Sequence, residues 1–367
     1  MKTATITFHS PNNNGSFLQA YALQRVLIDK LGVENDIIDF RTDKQIQMYS
    51  VLRPACSIRD LIKNGIGLLH YSQLCERNNC FETMRKRYLN MTEQCGSVNQ
   101  VSIIANRYDT VIVGSDQIWN TEAPDFSEAY VLPNVYANKV AYAVSLGSYS
   151  AESKLKKYIP SLQKFSKISV REQTAKNYIE KEFEISVEIS VDPTLLLDKE
   201  EYLVLAKDKR VIEGEYIFFY SISYPTEVLL TVVKIAKQMG LRIVTVFTSF
   251  HTIKCEMYGI EIMYREGPDG FLNLLMNAKA VFTNSFHGTA FSIILNKPFL
   301  HICETVDGRM LRDDRIDDLI DELGIECCNI SSKDLLVELP DIDWIVVNEK
   351  CDEIRNKAYE YLQSPLK

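Results

Sequence analysis

The sequence predicts an α/β protein of two Rossmann-like domains that face each other across a cleft. The chain has 367 residues, enough for two separate cores. Short apolar strands alternate with amphipathic helices, as in parallel βαβ units, and this pattern restarts near Glu200. We therefore place an N-terminal domain at residues 1–195 and a C-terminal domain at residues 196–350. A last helix, at residues 351–367, could pack back on the first domain.

The composition excludes several classes of protein. The net charge of −8 argues against a nucleic-acid-binding protein, and 46% hydrophobic with 25% charged residues is typical of a soluble globular chain. No apolar stretch is long enough for a transmembrane segment, and the first residues have no signal-peptide pattern. We expect a cytoplasmic protein. The nine cysteines include no Cys-x-x-Cys pair, so we expect reduced thiols and no metal site.

A helical, basic insertion is predicted at about residues 44–95 of the first domain. From Lys44 to Arg87 it carries eight basic and three acidic side chains, a local charge of +5. A solvated helical surface explains this charge. The alternative is a surface that meets anionic lipid or a pyrophosphate-linked substrate, at the inner face of the membrane. In that case neutralising Arg85, Lys86 and Arg87 should weaken binding to anionic vesicles.

The first strand, residues 3–8, is followed by a polar loop and then a helix from Phe17. A strand, an Asn/Gly/Ser loop and a helix form the opening of a nucleotide-binding βα unit. Asn14, Gly15 and Ser16 could offer backbone amides to a ligand at the helix N-terminus. A tight turn with a helix cap explains the same residues equally well.

A second polar loop, Gly114–Asn120, follows the strand at residues 108–113. Ligands bind at the carboxyl ends of parallel strands, so Asp116 is a candidate for orienting or deprotonating an acceptor hydroxyl. Gln117 and Trp119 are side chains that bind and stack on sugar rings. An Asx turn beside a core tryptophan is the alternative.

Arg171 ends a further strand that begins at Ile168. Arginine at such a position is usually a surface or salt-bridged group, but its guanidinium also holds a carboxylate or phosphate through two parallel hydrogen bonds.

In the second half, a buried strand at residues 280–282 leads through a polar elbow into an apolar helix. Asn284, Ser285 and Thr289 provide helix N-terminal chemistry, and the amides near Gly288 suit a phosphate or carboxylate. His287 is the ionisable group of this elbow and could exchange protons with the bound anion. The alternative is a histidine that only caps the helix.

Taken in order, the motifs NNNGSFLQAYALQ, GSDQIWN, SVREQTA, VDPTLLL and TNSFHGTAFSIILNKPF resemble the polysaccharide pyruvyltransferase family over roughly residues 10–325. The resemblance implies two GT-B-like domains and a transferase that moves the enolpyruvyl group of phosphoenolpyruvate to a sugar hydroxyl. It implies a pyruvate ketal on a capsule or exopolysaccharide, or on a lipid-linked precursor, with no cofactor besides this donor substrate.

The resemblance carries the family histidine to His287 and a donor-binding arginine to Arg171. Many members have arginine two positions before the histidine, where this chain has Ser285. Three basic residues are candidates to replace that cation: Lys279, Arg309 and Arg312.

Two other functions fit the same residues. A GT-B glycosyltransferase would use a nucleotide sugar in place of phosphoenolpyruvate. A non-catalytic glycan-binding or assembly subunit would bind neither donor.

Overall fold

The computed structural model describes residues 1–55, 57–147, 152–307, 309–311, 313–333 and 338–366. The chain forms two compact units. The first unit contains Met1–Ser50, Glu82–Leu197 and Asp352–Lys367, and the second contains Val51–Phe81 and Asp198–Cys351.

Strands and helices alternate over most of the chain; the exceptions include four successive helices at residues 43–105 and three successive strands at residues 299–310. The strands are β1 (Lys2–Ile6), β2 (Glu34–Ile37), β3 (Thr110–Val113), β4 (Asn138–Val144), β5 (Lys167–Val170), β6 (Glu188–Ile189), β7 (Tyr216–Tyr220), β8 (Arg242–Val246), β9 (Glu261–Met263), β10 (Ala280–Thr283), β11 (Phe299–Cys303), β12 (Thr305–Val306), β13 (Arg309–Met310) and β14 (Asn329–Ser331). The helices are α1 (Asn14–Arg25), α2 (Asp43–Met48), α3 (Ile58–Leu69), α4 (Tyr71–Tyr88), α5 (Val98–Ala105), α6 (Glu152–Leu155), α7 (Ile159–Leu162), α8 (Gln173–Phe183), α9 (Lys199–Leu203), α10 (Thr226–Met239), α11 (Pro268–Asn277), α12 (Phe286–Ile294), α13 (Asp314–Leu323) and α14 (Trp344–Gln363).

The first unit is built on a parallel six-stranded sheet in the order β2-β1-β3-β4-β5-β6. Its central strands β3 and β4 are mostly apolar and buried, as expected for strands that are covered on both faces. The chain reverses its direction of winding between β1 and β3. In such sheets this switch point is where ligands bind, beyond the carboxyl ends of the strands.

The second unit repeats the arrangement with a parallel sheet in the order β14-β11-β10-β7-β8-β9. Its switch point lies between β7 and β10. A small antiparallel hairpin, β12–β13, follows β11. The predicted α/β class with two Rossmann-like domains is confirmed.

The last helix returns to the first unit, as the sequence suggested. It is longer than expected, because α14 begins at Trp344. Its C-terminal half is anchored by Tyr361, whose hydroxyl donates to the carbonyl of Ala141 at 2.8 Å, and by Arg355, whose Nε donates to the carbonyl of Leu195 at 2.9 Å.

The basic insertion requires a correction. We assigned residues 44–95 to the first domain, but residues 51–81 group with the second unit. Leu74 of α4 is part of the second hydrophobic core. The buried guanidinium of Arg77 lies over the rings of Phe81 and Phe247, at 4.8 and 5.8 Å. These contacts need residues distant in sequence, which is why the pattern alone misplaced the segment.

Candidate functional site

In the first unit, the loops after β1 and β3 meet at the switch point. Asn13 caps α1 by accepting a hydrogen bond from the amide of Ser16 at 3.2 Å. Asn14, Gly15 and Ser16 are all buried in the first turn. Their predicted role in binding an acceptor stays a prediction.

Asp116 is held by hydrogen bonds to both of its carboxylate oxygens. The hydroxyl of Ser16 donates to Oδ2 at 3.0 Å, and the amide of Gln117 donates to Oδ1 at 2.9 Å. The residue is half-buried and has a φ of +72°. The first turn of α1 contains no acidic residue of its own, so Asp116 supplies the negative charge that a helix N-terminus favours. A neutral hydroxyl therefore suits this loop better than a second anion.

The amide side chains of the β3 loop are also fixed in place. Asn120 donates to the side-chain oxygen of Gln117 at 3.0 Å. Gly147 lies against this pair with a φ of +69°, and a Cβ there would lie 2.3 Å from the Asn120 amide nitrogen. Only glycine fits at position 147, because any side chain would overlap the Asn120 amide. Gln117 itself is half-buried at the edge of the loop.

Arg171 is a buried support beneath the same loop. Its guanidinium donates to the hydroxyl of Ser115 at 2.7 and 3.0 Å and to the carbonyl of Ala143 at 3.1 Å, and it forms an ion pair with Asp192. The two charged side chains are 3% and 0% exposed. Asp192 in turn accepts from the amide and hydroxyl of Thr194. Donor binding by Arg171 stays a prediction, and these contacts add a structural role.

Trp119 cannot stack on a sugar, so that prediction is wrong. Its side chain is completely buried in the first core. The indole nitrogen donates to the carbonyl of Tyr130 at 3.0 Å, and the ring meets Phe165 edge-on. The core tryptophan that we kept as an alternative is the correct description.

Arg85 holds the loop that precedes α1, a role that the sequence did not reveal. Its guanidinium donates to three consecutive carbonyls, those of His9, Ser10 and Pro11, and to the side chain of Asn12 at 2.7 Å. The side chain is 0% exposed, and burial lowers the pKa of Arg85 to about 10. A residue so enclosed cannot meet lipid, so the alternative of a membrane-facing surface is wrong for Arg85.

The same loop is anchored from beneath by His9. Its Nε2 lies 2.9 Å from a carboxylate oxygen of Asp39, which Arg41 also contacts at 2.5 Å. Burial acts to raise the pKa of Asp39, but the hydrogen bonds and charges of His9 and Arg41 outweigh it, and the pKa is lowered. Asp39 is therefore ionised at neutral pH and fixes the start of the loop.

In the second unit, the loops after β7 and β10 are joined by Asn284. Its side-chain oxygen accepts from the hydroxyl of Ser221 at 2.7 Å, and its amide donates to the carbonyl and the hydroxyl of Ser223, each at 3.2 Å. These hydrogen bonds connect the elbow to the loop after β7, which gives Asn284 a structural role. Its contact with the donor stays a prediction.

The elbow packs tightly where β10 meets α12. The amide of Ser285 donates to the hydroxyl of Thr283 at 3.0 Å. A Cβ at Gly288 would lie 2.1 Å from that hydroxyl, so glycine is required for the helix to approach the strand. Among the described residues, no side chain caps α12 and no acidic residue lies in its first turn. Helix ends with these properties favour anions, and binding of the donor at this one stays a prediction.

His287 lies in this first turn and is half-buried. Its ring meets Phe286 edge-on, with 5.3 Å between the ring centroids. The guanidinium of Arg315 lies 6.0 Å from the centre of the same Phe286 ring. Arg315 also binds Asp313 through two parallel hydrogen bonds, at 2.8 and 2.5 Å. A cation therefore neighbours the α12 terminus, although the Asp313 carboxylate offsets much of its charge.

A second histidine, His301, lies behind α12 and was not singled out from the sequence. It is buried on β11, opposite Thr283, and its Nδ1 lies 3.4 Å from the hydroxyl of Thr289. Burial lowers the pKa of His301 to about 4, so the ring is neutral at physiological pH. The contact gives Thr289 a structural partner, and its donor-binding role stays a prediction.

The three basic residues that were candidates to replace the family arginine differ in their position relative to α12. Lys279 precedes β10, at the opposite end of that strand from α12, and pairs with Glu215 at 3.3 Å, so it is excluded. Arg309 is exposed on β13. Arg312 lies outside the described residues. Arg315, which we did not consider, is the residue placed beside the helix terminus.

Within the parts of the chain that the structure describes, no group of three or more potential ligands is placed to hold a metal ion. The described helices also include none that is both long and apolar enough to cross a bilayer.

A family model described as polysaccharide pyruvyl transferase matches residues 13–302. The comparison with curated proteins gave no match.

Solved structures of sugar-nucleotide enzymes match nearly the whole chain. A UDP-GlcNAc 2-epimerase of Methanocaldococcus jannaschii, in complex with UDP-GlcNAc and UDP, is 15% identical over 97% of this chain and 93% of its own, with a TM-score of 0.51. MnaA of S. aureus, solved with UDP, is 12% identical over 99% and 90%, with a TM-score of 0.53. An alpha-glucosyltransferase (AGT) in complex with UDP is 12% identical over 99% and 95%, with a TM-score of 0.50. At these identities the likeness establishes the GT-B fold alone.

Proposed function

Since the chain belongs to the polysaccharide pyruvyl transferase family, we propose that it transfers the enolpyruvyl group of phosphoenolpyruvate to a sugar and forms a pyruvate ketal. The acceptor would be a unit of a capsule or exopolysaccharide, or its lipid-linked precursor. The observation that carries the proposal is the position of His287 in the first turn of α12, where backbone amides and an ionisable imidazole occur together.

We assign the donor to the second unit. Phosphoenolpyruvate carries a phosphate and a carboxylate, and both are anions that a helix N-terminus stabilises. The first turn of α12 itself contains no acidic residue. Arg315 adds a neighbouring positive group whose orientation is fixed by Asp313. The helix terminus supplies most of the attraction, because Arg315 is already paired.

We assign the acceptor to the first unit, at Asp116. A carboxylate that is held by Ser16 and by the Gln117 amide has a fixed direction, which a general base or an orienting acceptor requires. Arg171 and Ser115 support the loop from beneath, so Asp116 need not reorganise during the reaction. Gln117 at the loop edge is the side chain that we expect to bind the sugar.

The proposed reaction needs one acid, one base and a stabilised leaving group. The methylene carbon of phosphoenolpyruvate gains a proton, and a sugar hydroxyl adds to the central carbon. The carbon–oxygen bond to phosphate then breaks, and a second hydroxyl of the sugar closes the ketal. One hydroxyl proton balances the proton gained by the methylene carbon, and the other leaves with phosphate. His287 is the proposed proton donor, and Asp116 receives the hydroxyl proton.

A phosphate-release assay tests the proposal. Phosphoenolpyruvate is supplied with a panel of sugar acceptors to the wild type, to His287→Ala and to Asp116→Asn. We expect release that depends on the acceptor and falls 10²–10⁴-fold in each variant, the usual contribution of a general acid or base. His251→Ala is the matched control, because His251 is exposed on the same unit and should not affect release.

A thermal-shift comparison separates the two other functions. Stabilisation by a nucleotide sugar and not by phosphoenolpyruvate would favour a glycosyltransferase, the activity named for AGT among the fold neighbours. Stabilisation by neither donor would favour a non-catalytic glycan-binding subunit.

A further inference from the structure

Helix α3 carries its apolar face on the outside of the protein. Five large aliphatic side chains of this twelve-residue helix are between 59% and 81% exposed: Ile58, Leu61, Ile62, Leu68 and Leu69. Their spacing places them along one stripe of the helix. Gly65 lies within that stripe, and a Cβ there would have no heavy atom within 4 Å. Nothing among the described residues covers the centre of this face.

The polar side of α3 faces the protein instead. The side chain of Asn64 accepts from the amide of Arg53 at 2.9 Å and donates to its carbonyl at 2.8 Å. Gly67 is buried, and a Cβ there would lie 2.8 Å from the carbonyl of Val51. A surface helix of a water-soluble protein normally buries its apolar stripe, so this orientation is reversed. The packing of Asn64 and Gly67 holds it that way.

The charges around this face are mostly positive. Arg59 is exposed on α3, and Lys63 lies one turn further along. The acidic residue of α3, Asp60, lies in the first turn of the helix, where its carboxylate accepts a hydrogen bond from the hydroxyl of Ser57 at 2.7 Å. The protein as a whole has a net charge of −8, so a basic, apolar face is a local exception. An apolar stripe with lysine and arginine beside it is the pattern of a helix that lies in a membrane interface.

We propose that α3 is an interfacial membrane helix that inserts its five aliphatic side chains among the headgroups of an anionic bilayer. A second copy of the chain is a poorer fit. A helix of this length is about 18 Å long and about 10 Å across, so the projected area of its exposed face is about 180 Å². Each partner in a stable protein interface buries about 800 Å². Insertion into a bilayer does not require a minimum buried area of this kind. The residues that contribute most to protein interfaces are also tryptophan, tyrosine and arginine, and not aliphatic residues.

The proposal rests on α3 and not on the enzymatic reaction. It also differs from the alternative lipid contact through Arg85, Lys86 and Arg87, which does not hold for Arg85 because its side chain is enclosed by its own loop.

Vesicle flotation with the full chain tests it. Wild-type protein should float with vesicles of phosphatidylcholine and phosphatidylglycerol, and binding to phosphatidylcholine alone should be at least tenfold weaker. The double variant Leu61→Ser/Leu69→Ser should lower binding to the anionic vesicles at least tenfold. Ile345→Ser is the matched control, because Ile345 is 74% exposed elsewhere on the second unit and should leave binding unchanged.

A second pair of variants tests the charges without altering the apolar face. Arg59→Glu/Lys63→Glu should weaken binding at least tenfold, whereas Lys86→Glu/Arg87→Glu, with the same change in charge, should not. Circular dichroism confirms that each variant is folded.

Three results would overturn the proposal. These are absent flotation of the wild type, equal binding by the serine double variant, and a lipid-free dimer that this variant dissociates. The last result would assign the face to a second copy of the chain.

Discussion

Replacing Arg171 by alanine should destabilise the first unit strongly. The substitution leaves the carboxylate of Asp192 completely buried and without its charged partner, and it removes two donors from the hydroxyl of Ser115. A role in donor binding alone, which the resemblance implies, would instead let this variant fold as the wild type does and lose only activity. The buried ion pair leads to a different expectation.

The size of the effect follows from the burial of the pair. Breaking a buried ion pair by removing one partner costs about 3–5 kcal/mol. For a unit of this size, about 1 kcal/mol corresponds to a change of about 2–4 °C in Tm, so we expect a fall of about 6–20 °C. Removing both charges, in Arg171→Met/Asp192→Asn, should cost less than the sum of the single changes by about 0.5–3 kcal/mol.

Tryptophan fluorescence can follow the first unit by itself. The chain has two tryptophans, and Trp119 is buried in the first core. In a Trp344→Phe background, the urea unfolding curve of Trp119 reports on the first unit. If Arg171→Ala unfolds at the same urea concentration as the wild type, the Arg171–Asp192 pair does not stabilise the first unit. Donor binding would then be the better explanation for Arg171.

Three further predictions concern stability. Gly288→Ala should lower the free energy of unfolding by about 1–3 kcal/mol in urea titrations, because its Cβ would lie 2.1 Å from a side-chain oxygen of β10, whereas the control Gly65→Ala should not destabilise. Arg85→Met should lower the free energy of unfolding by about 2–4 kcal/mol in the same titrations, because it leaves three buried carbonyls without their hydrogen-bond donor. The control Lys86→Met should change it by no more than about 0.5 kcal/mol. Equal unfolding curves for the two variants would show that Arg85 does not hold the loop before α1. The pKa of His301 is lowered from 6.5 to about 4, so the unfolded state binds more protons between these values, and stability should fall by about 3 kcal/mol as the pH drops through this window. His301→Gln should remove that part of the pH dependence, and an unchanged pH profile would show that the histidine is not buried neutral.

Periodicity predicted most of the fold, because apolar strands and amphipathic helices are encoded locally. The strands β1, β3 and β10 and the elbow before α12 lie where the pattern placed them. The short strands β9 and β14 have too few residues to show a period, and they were missed. Residues 51–81 were placed in the wrong domain, since their partners lie more than a hundred residues away.

The candidate site was predictable in its loops and not in its contacts. A strand followed by a polar turn pointed to Asp116 and His287. The same reasoning could not tell an exposed Trp119 from a buried one, because an aromatic residue in a polar loop fits both. The role of Arg85 in holding the loop before α1 could not be predicted, because a count of charges does not distinguish buried from exposed arginines.

The most direct test of the proposed reaction is mass spectrometry of the acceptor after incubation with phosphoenolpyruvate. The wild type and the control His251→Ala should add a carboxyethylidene ketal to the sugar and release one phosphate for each ketal formed. His287→Ala, folded by circular dichroism, should form almost none. Equal ketal formation by His287→Ala, or a wild type that modifies no acceptor of the panel while a nucleotide sugar is consumed, would contradict the account.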